Sequence, residues 1–199
     1  MSTRISRTAF PVRGGPQGAP IGVWGIWMTI VVLGTALAGL VVSGVYLYWG
    51  QDEWPPAGFE APVLTRGALA LALSVGAGAL VVAALRTMRA GGERAAGHIL
   101  LGALLAATGC LAFLVLDLVQ APWHWDEHVY ASLFYVFVGY AATFVAVSAL
   151  MIAAVLVQRV AGMIDTGRHL ELKVTAIFWI HTIATVVAAF AMVHLLPHR

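Results

Sequence analysis

The sequence predicts an all-α integral membrane protein, a bundle of five transmembrane helices with its N-terminus inside and its C-terminus outside. Three observations predict it. Five separate apolar runs each exceed the roughly 20 residues that cross a ~30 Å hydrocarbon core at 1.5 Å per residue. Charged residues touch these runs only near their ends. The basic residues collect on alternate connections, and it is Lys and Arg that resist translocation.

The five spans run at about 21–48, 64–86, 97–119, 127–158 and 174–196. The fourth lies within the longest uncharged stretch, from Glu127 to Arg159, and with the first it is long enough to tilt or to project beyond the bilayer. Short connections make consecutive spans antiparallel neighbours, so residues 21–199 form one domain. Residues 1–20 carry basic residues but are broken by Gly and Pro, and they read as a retained, flexible cytoplasmic tail rather than a signal peptide.

Of the 11 basic residues, Arg4, Arg7, Arg13, Arg86, Arg89, Arg94, Arg159, Arg168 and Lys173 fall on one side, leaving Arg66 and Arg199. The other side holds Asp52, Glu53, Glu60, Asp126 and Glu127. This asymmetry sets the orientation.

Composition narrows the function. The 199 residues are 61% hydrophobic and 10% charged, with a mean hydropathy of +0.90; soluble chains are about a quarter charged. A net charge of +2, scattered between apolar spans, excludes nucleic acid as a partner. Cys110 is the sole cysteine and sits in an apolar run, so neither an internal disulfide nor a thiolate metal site is available.

Close helix approach in lipid uses small residues four apart, and Gly39/Ser43, Ser74/Gly78, Gly102/Ala106 and Gly139/Thr143 fit that spacing. The densest polar cluster is Trp123-His124-Trp125-Asp126-Glu127-His128. Two histidines four apart share a face if the segment is helical, and two carboxylates stand beside them, which makes His124 and His128 an alternative zinc or copper site. The simpler reading is an interfacial loop with Trp at headgroup level, since no helix start precedes Pro122.

His181 and His194, thirteen apart, lie on different faces of the last span; His181 reads as packing and His194 as interfacial. His98 and His169 fall near inner span boundaries, where solvent or headgroups satisfy them. The span interiors lack the buried charges of an ion carrier. No phosphate loop, nucleophile elbow or zinc-protease helix is present. The chain reads as a subunit without a catalytic residue, cofactor or metal of its own.

Read in order, Trp24 to Met28, Trp54 to Gly58, Val129 to Tyr135, Gly139-Tyr140 and Phe178 to His181 form a series of landmarks that resembles haem-copper oxidase subunit III. Trp24-Gly25-Ile26-Trp27-Met28 opens the first span and Trp54-Pro55-Pro56-Ala57-Gly58 fills the first outer loop. Phe113 to Gln120, the aromatic loop with Asp126, Val129-Tyr130-Ala131-Ser132-Leu133-Phe134-Tyr135 and Gly139-Tyr140 continue the likeness, which ends at Phe178-Trp179-Ile180-His181. The sequence departs from the family pattern at Leu33, where a Glu is usual, at Ala141 and Phe144, where histidines are expected, and near Ala184, where an acidic residue is missing.

The resemblance implies an accessory, non-catalytic subunit in the bacterial cytoplasmic membrane. It would pack against the catalytic subunit I and other subunits of a respiratory complex, with haem and copper held by that catalytic partner, and would hold lipids in a cleft between the first two helices and the other three. Trp24, Trp27, Trp54, Tyr130, Tyr135, Gly139, Tyr140, Arg159 and His181 are the expected lipid or subunit packing residues. A nitric oxide reductase of the same superfamily is an alternative partner. From a different class, a copper-binding component of a membrane monooxygenase would use His124 and His128, or His181; a small transporter is disfavoured by the lack of an internal repeat.

Overall fold

A computed structural model describes residues 21–57, 59, 62–164, 167 and 169–196. The expected N-terminal tail, Gly58, Arg168 and Arg199 lie outside the described residues. Five helices long and apolar enough to cross a membrane follow one another: α1 (Ile21–Trp49), α2 (Leu64–Arg89), α3 (Glu93–Val119), α4 (Val129–Val160) and α5 (Leu170–Phe190), the last prolonged by a π-helical turn over Ala191–Leu195. No strand occurs among the described residues.

The helix ends explain where the expected spans were too short. α2 continues past Arg86 until Gly91, at φ 85°, lets the chain turn. The backbone N–H groups of Gly91 and Gly92 then close the last carbonyls of the helix, on Met88 and Thr87. α3 starts at Glu93 and α5 at Leu170, each about one turn ahead of its apolar run. Both carry a glutamate in the first turn, Glu93 and Glu171, where the helix dipole favours negative charge. α4 ends before Gly162, at φ 70°.

α2, α3, α4 and α5 form a closed ring, each packed on the next and α2 packed on α5. Two buried clusters fill it. One, at the end bearing Trp54 and Trp123, holds Tyr130, Phe134 and Phe137. The other, toward Arg86 and Arg159, holds Met88, Leu100, Ile152, Leu172 and Trp179.

α1 lies outside the ring, along α5 and only lightly against α4. Gly22 meets Leu170 at the start of α5 and Gly44 meets Met192 and Phe137 at its end, so α1 and α5 run parallel. Only 6% of the most apolar window of α1 is buried, against 50% for α5, so α1 is the peripheral helix.

This arrangement corrects the expected cleft. The split does not separate the first two helices from the other three, because α2 packs along both α3 and α5. It separates α1 from the rest.

Candidate functional site

The residues that carry chemistry or close contacts fall at three levels of the bundle. At the Trp54 end, aromatic rings from four segments interlock. Tyr130, in the first turn of α4, meets Trp54 edge-on at 5.1 Å and Trp123 at 5.6 Å. Trp54 also meets Tyr48 of α1 at 5.5 Å, and Trp123 meets Phe134 at 5.1 Å. All five rings are buried. Such edge-to-face pairs add to the area they bury, and they fix both connecting loops on the start of α4.

Backbone bonds complete this attachment. Tyr135 donates its hydroxyl to the Trp123 carbonyl at 3.2 Å, and Ser132 donates to the Trp125 carbonyl at 2.6 Å. Of the two histidines of the loop, His128 uses its side chain structurally and His124 only its backbone N–H. His128 is the N-cap of α4, its Nδ1 accepting the Tyr130 N–H at 3.1 Å, and its ring lies 5.5 Å from Phe59. The His124 N–H donates to Glu127 Oε1 at 2.8 Å. Residues 121–128 are not helical, so the shared helix face that would pair His124 with His128 does not form. Among the described residues no group of three His, Cys, Asp or Glu side chains converges on one point.

Beside this cluster, Arg66 in the first turn of α2 pairs with Asp117 in the last turn of α3 at 3.6 Å. The Asp117 side chain is 6% exposed and that of Arg66 32%. Both border a cavity of about 230 Å³ shared with Gln120 and Trp123. The sequence left Arg66 apart from the basic side and did not pair it with Asp117, near the outer end of the third span. The available signal was their placement: one lies just inside the second span, the other just short of the end of the third, and antiparallel neighbours bring such positions level.

In mid-bundle, Tyr140 reaches α1 and donates to the Leu33 carbonyl at 3.4 Å. Its ring lies 4.7 Å from Phe144, which stands edge-on to His181 at 4.7 Å. His181 is buried, and its Nε2 has no partner among the described residues. Next to it, Ser148 and Thr182 share a hydrogen bond at 2.6 Å, and Thr185 donates to the Thr182 carbonyl at 2.7 Å. His194 is half-buried, with its ring 5.1 Å from Phe190 and against Gly67.

The small-residue pairs separate into one that packs closely and three that do not. Trp179 lies over Gly78 and donates its indole N–H to the Ser74 carbonyl at 3.0 Å. Among the described residues Gly39 and Gly139 have nothing near the position of a side chain, and Gly102 meets Leu80 alone at ordinary contact distance. Gly139 therefore does not act as a packing residue within this chain. Its carbonyl accepts from Thr143 at 2.9 Å.

At the opposite end, Arg159 of α4 turns inward. Its Nε donates to the Glu93 carbonyl at 3.1 Å, and its guanidinium lies against Gly97. Arg159, expected as a lipid or subunit packing residue, thus staples the end of α4 to the start of α3 within the chain. Trp24 and Trp27 are exposed on α1. Between α2 and α5 an open, mainly apolar groove of about 670 Å³ runs past Val75, Gly78, Val82 and Ile183 to Arg86.

Compared with protein-family models and with curated protein sequences, the chain matches none.

Proposed function

We propose that this chain is an accessory subunit III-like component of a respiratory haem-copper complex. In this reading it sits in a bacterial cytoplasmic membrane with its N-terminus inside and C-terminus outside. It packs against the catalytic subunit, holds lipids and stabilises that partner, while haem and copper reside in the partner.

The observation that carries the reading is the convergence of residues that bear the resemblance. Trp54 of the first outer loop, Trp123 of the third connection and Tyr130 of the fourth span are far apart in sequence and meet in one buried aromatic cluster. Landmarks that share an interior contact are linked by packing, which supports taking them as one inherited pattern. The arrangement of α1 agrees with a subunit role. Its largely unburied surface, carrying Trp24 and Trp27, is free to meet lipid or a neighbouring subunit. The groove ending at Arg86 suits an acyl chain with an anionic headgroup, and replaces the cleft expected beside α2.

The test is purification of the tagged full chain in a mild detergent. A haem-containing catalytic subunit is expected to copurify, and its identity separates oxygen from nitric oxide reduction. Haem or copper bound stoichiometrically by the isolated chain would contradict the accessory role.

A further inference from the structure

The cavity beside Arg66 and Asp117 has a chemical character that helix packing does not require. It measures about 230 Å³ and lies between the start of α2, the end of α3 and the loop leading to α4. A water molecule takes about 30 Å³ of liquid, so a group of several heavy atoms fits this space. We propose that the cavity binds a zwitterionic headgroup bearing a primary ammonium and a phosphate, of the phosphoethanolamine kind.

A carboxylate offers about four acceptor sites and a guanidinium five donors. Among the described residues Asp117 and Arg66 pair with each other at 3.6 Å, longer than a direct hydrogen bond, and neither has another charged partner. The carboxylate, 6% exposed, takes its remaining hydrogen bonds from whatever fills the cavity, and a ligand that donates to it there replaces water. Trp123 lines the same wall with its ring. Gln120 adds an amide that both donates and accepts.

Charge then selects the ligand. A lone cation satisfies Asp117 but is repelled by Arg66, and a lone anion meets the reverse problem. A zwitterion serves both: its ammonium donates to the carboxylate while its phosphate accepts the planar fork of the guanidinium. The site keeps a net charge of zero, so no uncompensated charge is buried. The position also fits, since Pro62, Pro122 and Trp123 border the cavity where α2 and α3 leave their apolar runs, at headgroup level.

Selectivity follows from the ammonium. A choline headgroup has no N–H for Asp117, and a glycerol headgroup has no cation. Loss of a charge-assisted hydrogen bond predicts about tenfold weaker retention of either. The site stands without the oxidase reading, so failure here leaves the copurification result untouched.

The experiment uses the full chain with whatever copurifies, reconstituted in nanodiscs of phosphatidylcholine containing phosphatidylethanolamine or phosphatidylglycerol as guest. Native mass spectrometry counts the lipid retained on release. One phosphatidylethanolamine per chain is expected, about tenfold over the other two. Asp117→Asn should abolish that preference and favour phosphatidylglycerol, because Arg66 is left as an unbalanced cation. Arg66→Gln should lower retention of all phospholipids while keeping the ammonium preference, and it carries the test if Asp117→Asn does not fold. Soluble phosphoethanolamine separates the sources: displacement shows that the headgroup alone suffices, persistence that acyl chains contribute, and either upholds the site. Equal retention of the three headgroups would overturn the proposal, as would a preference unchanged in both variants; the pair would then be a structural link in a water-filled cavity.

Discussion

The indole of Trp179 occupies the space that a side chain at Gly78 would need. A Cβ added at Gly78 would lie 2.5 Å from Trp179 Cδ1, and the same indole donates to the Ser74 carbonyl one turn away. This contact joins α5 to α2 and so closes the four-helix ring.

Gly78→Val should therefore destabilise the bundle by about 1–3 kcal/mol, the usual cost of overpacking. Trp179→Phe, which keeps most of the ring and removes the donor, should cost about 0.6 kcal/mol, typical of an interhelical hydrogen bond in a membrane. Reversible unfolding in mixed micelles measures both. Equal effects of the two variants would show that Gly78 is not a point of close approach.

The Arg159 contact predicts non-additivity. Gly97→Ala places a methyl group where the guanidinium lies, and Arg159→Ala removes the guanidinium and its bond to the Glu93 carbonyl. The double variant should be no less stable than Gly97→Ala alone within about 0.5 kcal/mol, because both changes act on one contact. Simple addition of the two single effects in the same unfolding assay would refute the staple.

His128 acts as a cap, which separates its structural role from metal binding. His128→Asn keeps a capping side chain and should be nearly neutral, whereas His128→Ala should cost about 1 kcal/mol. Elemental analysis of the purified complex should give the same metal content before and after His124→Ala with His128→Ala. Loss of stoichiometric metal in that double variant would favour the monooxygenase reading instead.

The placement of α1 is open to cross-linking. In a Cys110→Ala background, cysteines introduced at Gly44 and Met192 should be joined by a short bis-maleimide, which alkylates both thiols, since the two positions touch. Cysteines at Gly22 and Met192 should not, because Gly22 lies about 33 Å along the helix from Gly44. The opposite pattern would mean that α1 and α5 are not parallel.

The five helices were legible because long uncharged runs have few alternatives: a bilayer demands internally satisfied backbone, and a helix of this length provides it. Their ends were less so. The turns Glu93–Ala96 and Leu170–Lys173 are polar or mixed, and a hydropathy window reports what lies in hydrocarbon rather than where hydrogen bonding stops. Partner choice among helices was hardly legible at all. Four small-residue pairs had the same spacing, yet only Ser74/Gly78 meets a large ring, because the outcome depends on what the facing helix presents. Arg159 illustrates the same limit: its place at the end of α4 suggested a headgroup, and the glycine opposite it drew it inward. The site at Arg66 and Asp117 could have been read from antiparallel registration of the second and third spans, which brings their adjoining ends level.

In the proposed role this chain serves a haem-bearing partner without holding the cofactor itself. Its most direct test compares complexes purified with and without this chain by absorption spectroscopy and sustained turnover. The account predicts unchanged haem per catalytic subunit, with faster loss of activity when the chain is absent. Haem or copper that departs with the chain, or reduction of oxygen by the chain alone, would contradict it.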